Sequence, residues 1–156
     1  MNEFPLEMPQ RQCNIAIVAS EFNHFIVQQL VDGAVDALGR NGVEEQYITL
    51  IWVPGAFELP LAADVLASAG QHDAVIALGA VIRGGTPHFD YVAGECARGI
   101  AQVGLKYSLP AIFGVLTTDN VDQALERAGS GSGNKGFDTA VAALQMIALL
   151  DGLRDK

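Results

Sequence analysis

Two adjacent glycines, a hydroxyl and a histidine fall together in the stretch Gly84-Gly85-Thr86-Pro87-His88. Glycines let backbone N–H groups approach and point at an anion, Thr86 adds a hydroxyl donor, and the N-terminus of a following helix adds its positive dipole end. His88 is the side chain whose ordinary pKa lets it give and take a proton near neutrality. The same five residues also fit a plain turn. They form neither a Walker loop nor a dinucleotide fingerprint, because the spacings GxxxxGK[ST] and GxGxxG are absent there.

Two further groups have chemistry to offer. Glu58 follows the apolar pair Ala56-Phe57 and precedes Leu59. A carboxylate in that setting either caps a helix or accepts hydrogen bonds from a ligand, and a polyol chain suits it. Phe22, in the loop Ser20-Glu21-Phe22-Asn23, either packs into the core or stacks on a planar heterocycle. His24 and His72 read as helix-start or surface residues without a role, and Arg83 as an ion-pair partner at a sheet end.

These residues need a scaffold, and the hydrophobic pattern supplies one. Short apolar, β-branched runs over 13–19, 47–53, 73–82 and 111–117 predict four strands. Helical spacing follows each: from Phe25 to Leu38 with a stop at 39–42, from Pro60 to Gly70, over 90–107, and from Val121 to a stop at Gly129. Asn120 with Gln123 fits a helix N-cap and its reciprocal partner. A polar glycine loop over 130–133 leads to an alanine-rich final helix over 136–153. Residues 1–12, with Pro5 and Pro9, read as an extended arm able to pair with a neighbour's sheet edge. Strands alternating with helices predict one α/β domain over 13–156, a flavodoxin-like three-layer sandwich with a four-stranded parallel sheet. Ligands of such sheets bind at the carboxyl ends of the strands, where the loops of Phe22, Glu58 and His88 converge.

Arg127 does not fit that crevice. It ends a helix that starts beyond the fourth strand and runs back roughly 12 Å toward the amino ends of the strands. Phe113, near the start of the fourth strand, has the same difficulty. Arg127 either neutralises a helix C-terminus or serves the site of a neighbouring copy in a symmetric ring.

Composition limits the function classes. The chain has 156 residues, 50% of them hydrophobic and 17% charged, enough for one domain with a substantial core. A net charge of -9 argues against nucleic acid and anionic membrane as partners, so any phosphate must be held locally. Cys13 and Cys96 lack CxxC spacing, which indicates neither a disulfide framework nor a zinc site. The first residues lack the apolar core of a secretory signal, and no run approaches the roughly 18 apolar residues of a bilayer span, so a cytoplasmic protein is expected. The alanine-rich, apolar composition suggests surface covered by other copies.

Six ordered segments carry a resemblance: Phe22-Asn23, Pro54-Gly55-Ala56-Phe57-Glu58-Leu59-Pro60, Gly79 through Tyr91, Phe113 through Thr118, Glu126-Arg127-Ala128-Gly129 and Gly133-Asn134-Lys135-Gly136. From residue 13 onward the chain resembles the 6,7-dimethyl-8-ribityllumazine synthases of riboflavin biosynthesis. The resemblance implies condensation of 5-amino-6-(D-ribitylamino)uracil with 3,4-dihydroxy-2-butanone 4-phosphate, without metal or redox cofactor. It implies that Phe22 stacks on the uracil, that Ala56, Phe57 and Glu58 bind the ribityl chain, and that Ala80, Val81 and Ile82 address the pyrimidine. Gly85 and Thr86 would hold the butanone phosphate and His88 would move protons. Phe113 and Arg127 would enter from the adjacent subunit, with Lys135 beside the arginine. It also implies a homo-oligomer with sites at subunit interfaces, either a pentamer or a sixty-subunit shell of pentamers. A short linker over 129–136 favours the shell, and riboflavin synthase is a further implied partner. The rivals are a flavodoxin-like binding module, a catalytically silent shell protein, and a pentameric riboflavin synthase.

Overall fold

The structure, a computed structural model, describes residues 1–129 and 133–155. Among the described residues nine principal elements follow in order: β1 (Ile15–Ser20), α1 (His24–Arg40), β2 (Ile48–Val53), α2 (Leu59–Ser68), β3 (Ala74–Ile82), α3 (His88–Tyr107), β4 (Ala111–Thr118), α4 (Val121–Arg127) and α5 (Lys135–Arg154). The strands form one all-parallel sheet in the order β2-β1-β3-β4. Helices cover both faces, the expected α/β three-layer arrangement.

The two faces follow from strand periodicity, since successive side chains of a strand point to opposite sides. Ile15, Ile17 and Ala19 of β1 and Ile76, Leu78 and Ala80 of β3 pack with α1 and α5. Ala16, Val18, Val75, Ala77 and Val81 pack with α2 and α3. Both middle strands are buried on both sides, so they read as unbroken apolar runs rather than alternating ones.

Several boundaries differ from the sequence expectation, each for a local reason. β1 begins at Ile15 rather than Cys13, because Asn14 donates its backbone N–H to the Asp73 carboxylate at 2.7 Å instead of to a strand. Tyr47 belongs to a single 3-10 turn, Glu45–Tyr47, ahead of β2. α3 begins at His88, two residues before the expected start, with Pro87 as its N-cap. Asn120 caps α4 as expected, accepting from the Gln123 N–H at 2.8 Å. The Gln123 side chain, however, accepts from the N–H of Asp119 at 2.8 Å rather than from Asn120. Gly129 ends α4 at φ +105, a conformation that side chains resist. The glycine loop expected over 130–133 lies, apart from Gly133, outside the described residues.

α1 and α5 approach backbone to backbone. A Cβ on Gly136 would sit 1.9 Å from the carbonyl oxygen of Leu30, and one on Gly33 would sit 2.2 Å from Oδ1 of Asn134. Asn134 caps α5 through the Phe137 N–H at 2.9 Å, and its Nδ2 donates to Gln29 O at 3.0 Å and Ala128 O at 2.9 Å. One amide thus joins α1, the end of α4 and the start of α5.

By length and composition α5 is apolar enough to cross a membrane, contrary to the expectation that no segment approaches that limit. Its Thr139, Ala140, Ala143, Leu144 and Ile147 are buried, the latter four in the core shared with α1 and the sheet, so one face of the helix packs inside the chain. Residues 1–14 contain no helix or strand; Arg11 fastens them through Asp151 at 2.8 Å and Asp73 at 3.1 Å. Those two carboxylates push the Arg11 guanidinium pKa up further. Cys13 and Cys96 are both free and buried, and burial pushes the Cys96 thiol up to about 11.

Candidate active site

A hollow of about 760 Å³ opens at the carboxyl ends of β1, β2 and β3. Phe22, Ala56, Phe57 and Glu58 line one side of it. Ala80, Val81 and Ile82 form its floor, and Thr86 and His88 close the other side. The three strand-end loops converge as the topology requires, because β1 lies between β2 and β3.

Each side chain has a local cause for its place. Phe22 is 71% exposed, so it is not a core residue. Its loop is stitched to the next by Glu21 N–H to Val53 O at 2.7 Å and Phe22 N–H to Pro54 O at 3.0 Å. Beyond β2, Ala56–Glu58 form a 3-10 turn that leads into α2, with Pro60 in its first turn. Ala56 is buried beneath this turn, while Phe57 and Glu58 are exposed. Glu58 occupies the N-cap position of α2, yet its side chain makes no capping bond. Its Oε1 instead folds back over Gly55, 3.1 Å from where a Cβ would stand. The capping explanation therefore fails, and the carboxylate remains free to accept hydrogen bonds.

The floor offers backbone groups. Backbone amides of successive strand residues point to opposite sides of the strand. Arg83 N–H donates toward β4, to Thr118 O at 2.8 Å, whereas Ala80 O accepts from Asn23 on the β1 side. Ile82 shares the parity of Ala80 and lies past Leu78, the last β3 residue in register with β1. Its N–H and C=O therefore face the open crevice, a donor and an acceptor side by side as an amide-bearing heterocycle would use them.

The glycine loop has no internal reason for its glycines. Gly84 and Gly85 are not in the left-handed region, and a Cβ at either would meet nothing within 4 Å. Residues 83–88 are exposed. Pro87 cannot cap α3 with its side chain, so the first-turn N–H groups of this 20-residue helix have no side-chain partner there. Arg83 pairs with Asp119 at 3.0 Å and with Asp90 at 3.7 Å, the sheet-end role expected of it, and lies 4.4 Å over the Phe89 ring.

Phe113 and Arg127 are not brought into this hollow. They line a second one, of about 540 Å³, beside β4. Arg127 also shares a smaller recess with Lys135 and Asp138. Phe89 contributes to both larger hollows and forms the partition between them. The sequence reading overlooked Phe89 and Tyr91, which is 69% exposed on the rim. Both lie in the segment Gly79 through Tyr91 that carries the resemblance, and the structure puts them in the first turn of α3. Among the described residues no group of three or more His, Cys, Asp or Glu side chains gathers as a metal site would require. His24 lies 3.2 Å from Glu21 and stacks on Trp52 at 4.7 Å, a local contact outside the hollow.

The family model described as 6,7-dimethyl-8-ribityllumazine synthase matches residues 12–151. The chain belongs to that family. The match takes in every element from β1 through most of α5, and with it both hollows. Membership implies lumazine synthesis within riboflavin biosynthesis, by a transferase-type enzyme that binds its substrates as an oligomer.

Proposed function

We propose that the protein condenses 5-amino-6-(D-ribitylamino)uracil with 3,4-dihydroxy-2-butanone 4-phosphate to give 6,7-dimethyl-8-ribityllumazine, phosphate and two waters, in the cytoplasm. The observation that carries this reading, beside the family match, is one hollow holding an exposed aromatic, an uncapped carboxylate and an imidazole above a floor of free backbone groups.

The uracil lies on Phe22 and meets the Ile82 N–H and C=O, and the ribityl hydroxyls reach Glu58 over the Ala56–Glu58 turn. The phosphate rests at Gly85, Thr86 and the first turn of α3. The 5-amino group adds to the ketone, and loss of water leaves an imine. Phosphate then leaves by elimination, the ribitylamino nitrogen closes the ring, and a second water is lost. His88 carries the protons that these steps move. Holding two substrates in register supplies most of the remaining acceleration.

Arg127, Phe113 and Lys135 complete the pocket of an adjacent copy. The place of Arg127 and Phe113 in a separate hollow that shares only Phe89 with that of His88 supports this. Arg127 clamps the phosphate as a planar bidentate donor. The ring of copies is a pentamer, alone or as the unit of a sixty-subunit shell.

The test mixes the purified protein with both substrates and follows lumazine absorbance and phosphate release. Equimolar lumazine and phosphate are expected. Binding of either substrate without product would leave a flavodoxin-like binding module, and riboflavin formed from lumazine alone would make it a riboflavin synthase.

A further inference from the structure

Among the described residues three helices begin after an asparagine, and two of the three use it alike. Asn120 and Asn134 stand in extended backbone and accept the N–H three residues on, at 2.8 and 2.9 Å. Asn23, ahead of α1, does neither. Its backbone is left-handed, at φ 62 and ψ 37, and its side chain makes no capping bond. Among the described residues only Asn23 and Ser108 adopt positive φ without being glycine. The turn thus forgoes a cap and accepts strain, both of which cost stability.

The side chain goes elsewhere: Asn23 Nδ2 donates to Ala80 O at 2.8 Å. A carbonyl only accepts, which fixes the amide's orientation. Ala80 lies two residues beyond the last β1–β3 pair, so no β1 backbone could reach its oxygen. Together with the bonds from Glu21 and Phe22 to Val53 and Pro54, this contact joins the loop after β1 to the ends of both β2 and β3.

We propose that Asn23 is a positioning residue for the heterocycle, holding Phe22 at a fixed offset from the β3 floor so that ring and backbone edge are met together. This rests on the reading of Phe22 and Ile82 as the uracil subsite. Capping would stabilise α1 but leave the Phe22 loop tied to the end of β2 alone, with no bond to β3. A left-handed backbone turns the short amide inward, and asparagine tolerates that conformation better than other side chains.

The test compares Asn23→Asp, which keeps shape but removes the donor, with Asn23→Gly, which relieves the backbone strain and also removes the donor. Both are expected to raise the KM for the ribitylaminouracil about tenfold, the worth of one such hydrogen bond, with the KM for the butanone phosphate unchanged. Asn23→Gly should do so without lowering the unfolding midpoint, a separation that a merely structural role would not give. Equal effects on both substrates, or a wild-type KM in both variants, would overturn the proposal. Hydrogen exchange on the ligand-free protein gives an arm independent of activity. The Glu21 and Phe22 amides should exchange about tenfold faster in both variants while those of α5 stay unchanged. Unchanged exchange at Glu21 and Phe22 would reject the pin whatever the reaction is. Faster exchange with no lumazine from the wild type would instead retain the pin and reject the heterocycle as its purpose.

Discussion

On one side of the crevice, the Phe22 loop is tied to Val53 and Pro54 at the end of β2 and to Ala80 of β3 by three hydrogen bonds that cross between strand ends. On the other side, among the described residues, no hydrogen bond ties Gly84, Gly85 or Thr86 to another strand-end loop, and the cations Arg127 and Lys135 lie around a corner from His88. The first wall is finished within a single chain, and in the proposed reading the second is completed by a neighbour. A rigid ring with a polyol tail is well served by fixed surfaces, because their order is settled in folding rather than at binding. A doubly charged phosphate needs convergent donors, and in the proposed reading this wall offers backbone and a hydroxyl while the guanidinium comes from a neighbour.

The largest effect that could break this contrast lies with Arg127. Arg127→Ala should lower kcat/KM about 100-fold, most of it through the butanone phosphate, because one charge-assisted anchor of the leaving group is lost. Mixing Arg127→Ala chains with Glu58→Ala chains should restore part of the rate, since some interfaces then carry both intact residues. Steady-state kinetics on verified mixed oligomers decides it, and no recovery would mean that each chain completes its own second wall.

A smaller effect sharpens the contrast at Gly85. Because a methyl there meets nothing within the chain, Gly85→Ala should leave the unfolding free energy within about 0.5 kcal/mol of wild type. The KM for the butanone phosphate should nevertheless rise about fivefold if backbone N–H groups there hold the anion. Denaturant unfolding paired with kinetics tests this, and a loss of stability without a change in KM would make the loop a structural turn.

The smallest effect lies outside both walls and serves as a control. Burial lowers the His72 pKa below its ordinary 6.5, with Asp73 partly opposing. The folded state therefore favours neutral His72, and below pH 6.5 the unfolded chain takes up its proton more readily. The stability this group contributes is full above that pH and declines as pH falls. In His72→Gln the fall in unfolding free energy between mildly alkaline and mildly acidic buffer should be shallower, with both KM values unchanged. An identical slope would remove His72 from the acid limb.

The sheet was legible in the sequence because both middle strands are buried on two faces and so read as continuous apolar runs. The exclusion of Arg127 from its own crevice was legible too, since helix rise fixes how far α4 carries a residue. The start of α3 was not, because Pro87 marks a helix boundary without saying whether His88 stands before or inside it. Neither was the fate of Asn23. A short amide before a helix reads as a cap, and only the position of Ala80, from a strand more than fifty residues later, redirects it. Phe89 was invisible for a related reason, since periodicity marks it as buried but not as the divider between two hollows.

The Asn134 amide, held under Gly33 and bonded to α1, α4 and α5 at once, bears on how charge is delivered across an interface. Arg127 ends the helix on one side of that knot and Lys135 begins the helix on the other. They are prongs of one fork rather than independent fingers. The spacing between the two positive groups is therefore inherited from a neutral side chain that need never touch an anion, and in the proposed ring a neighbouring copy would receive them as a preset pair.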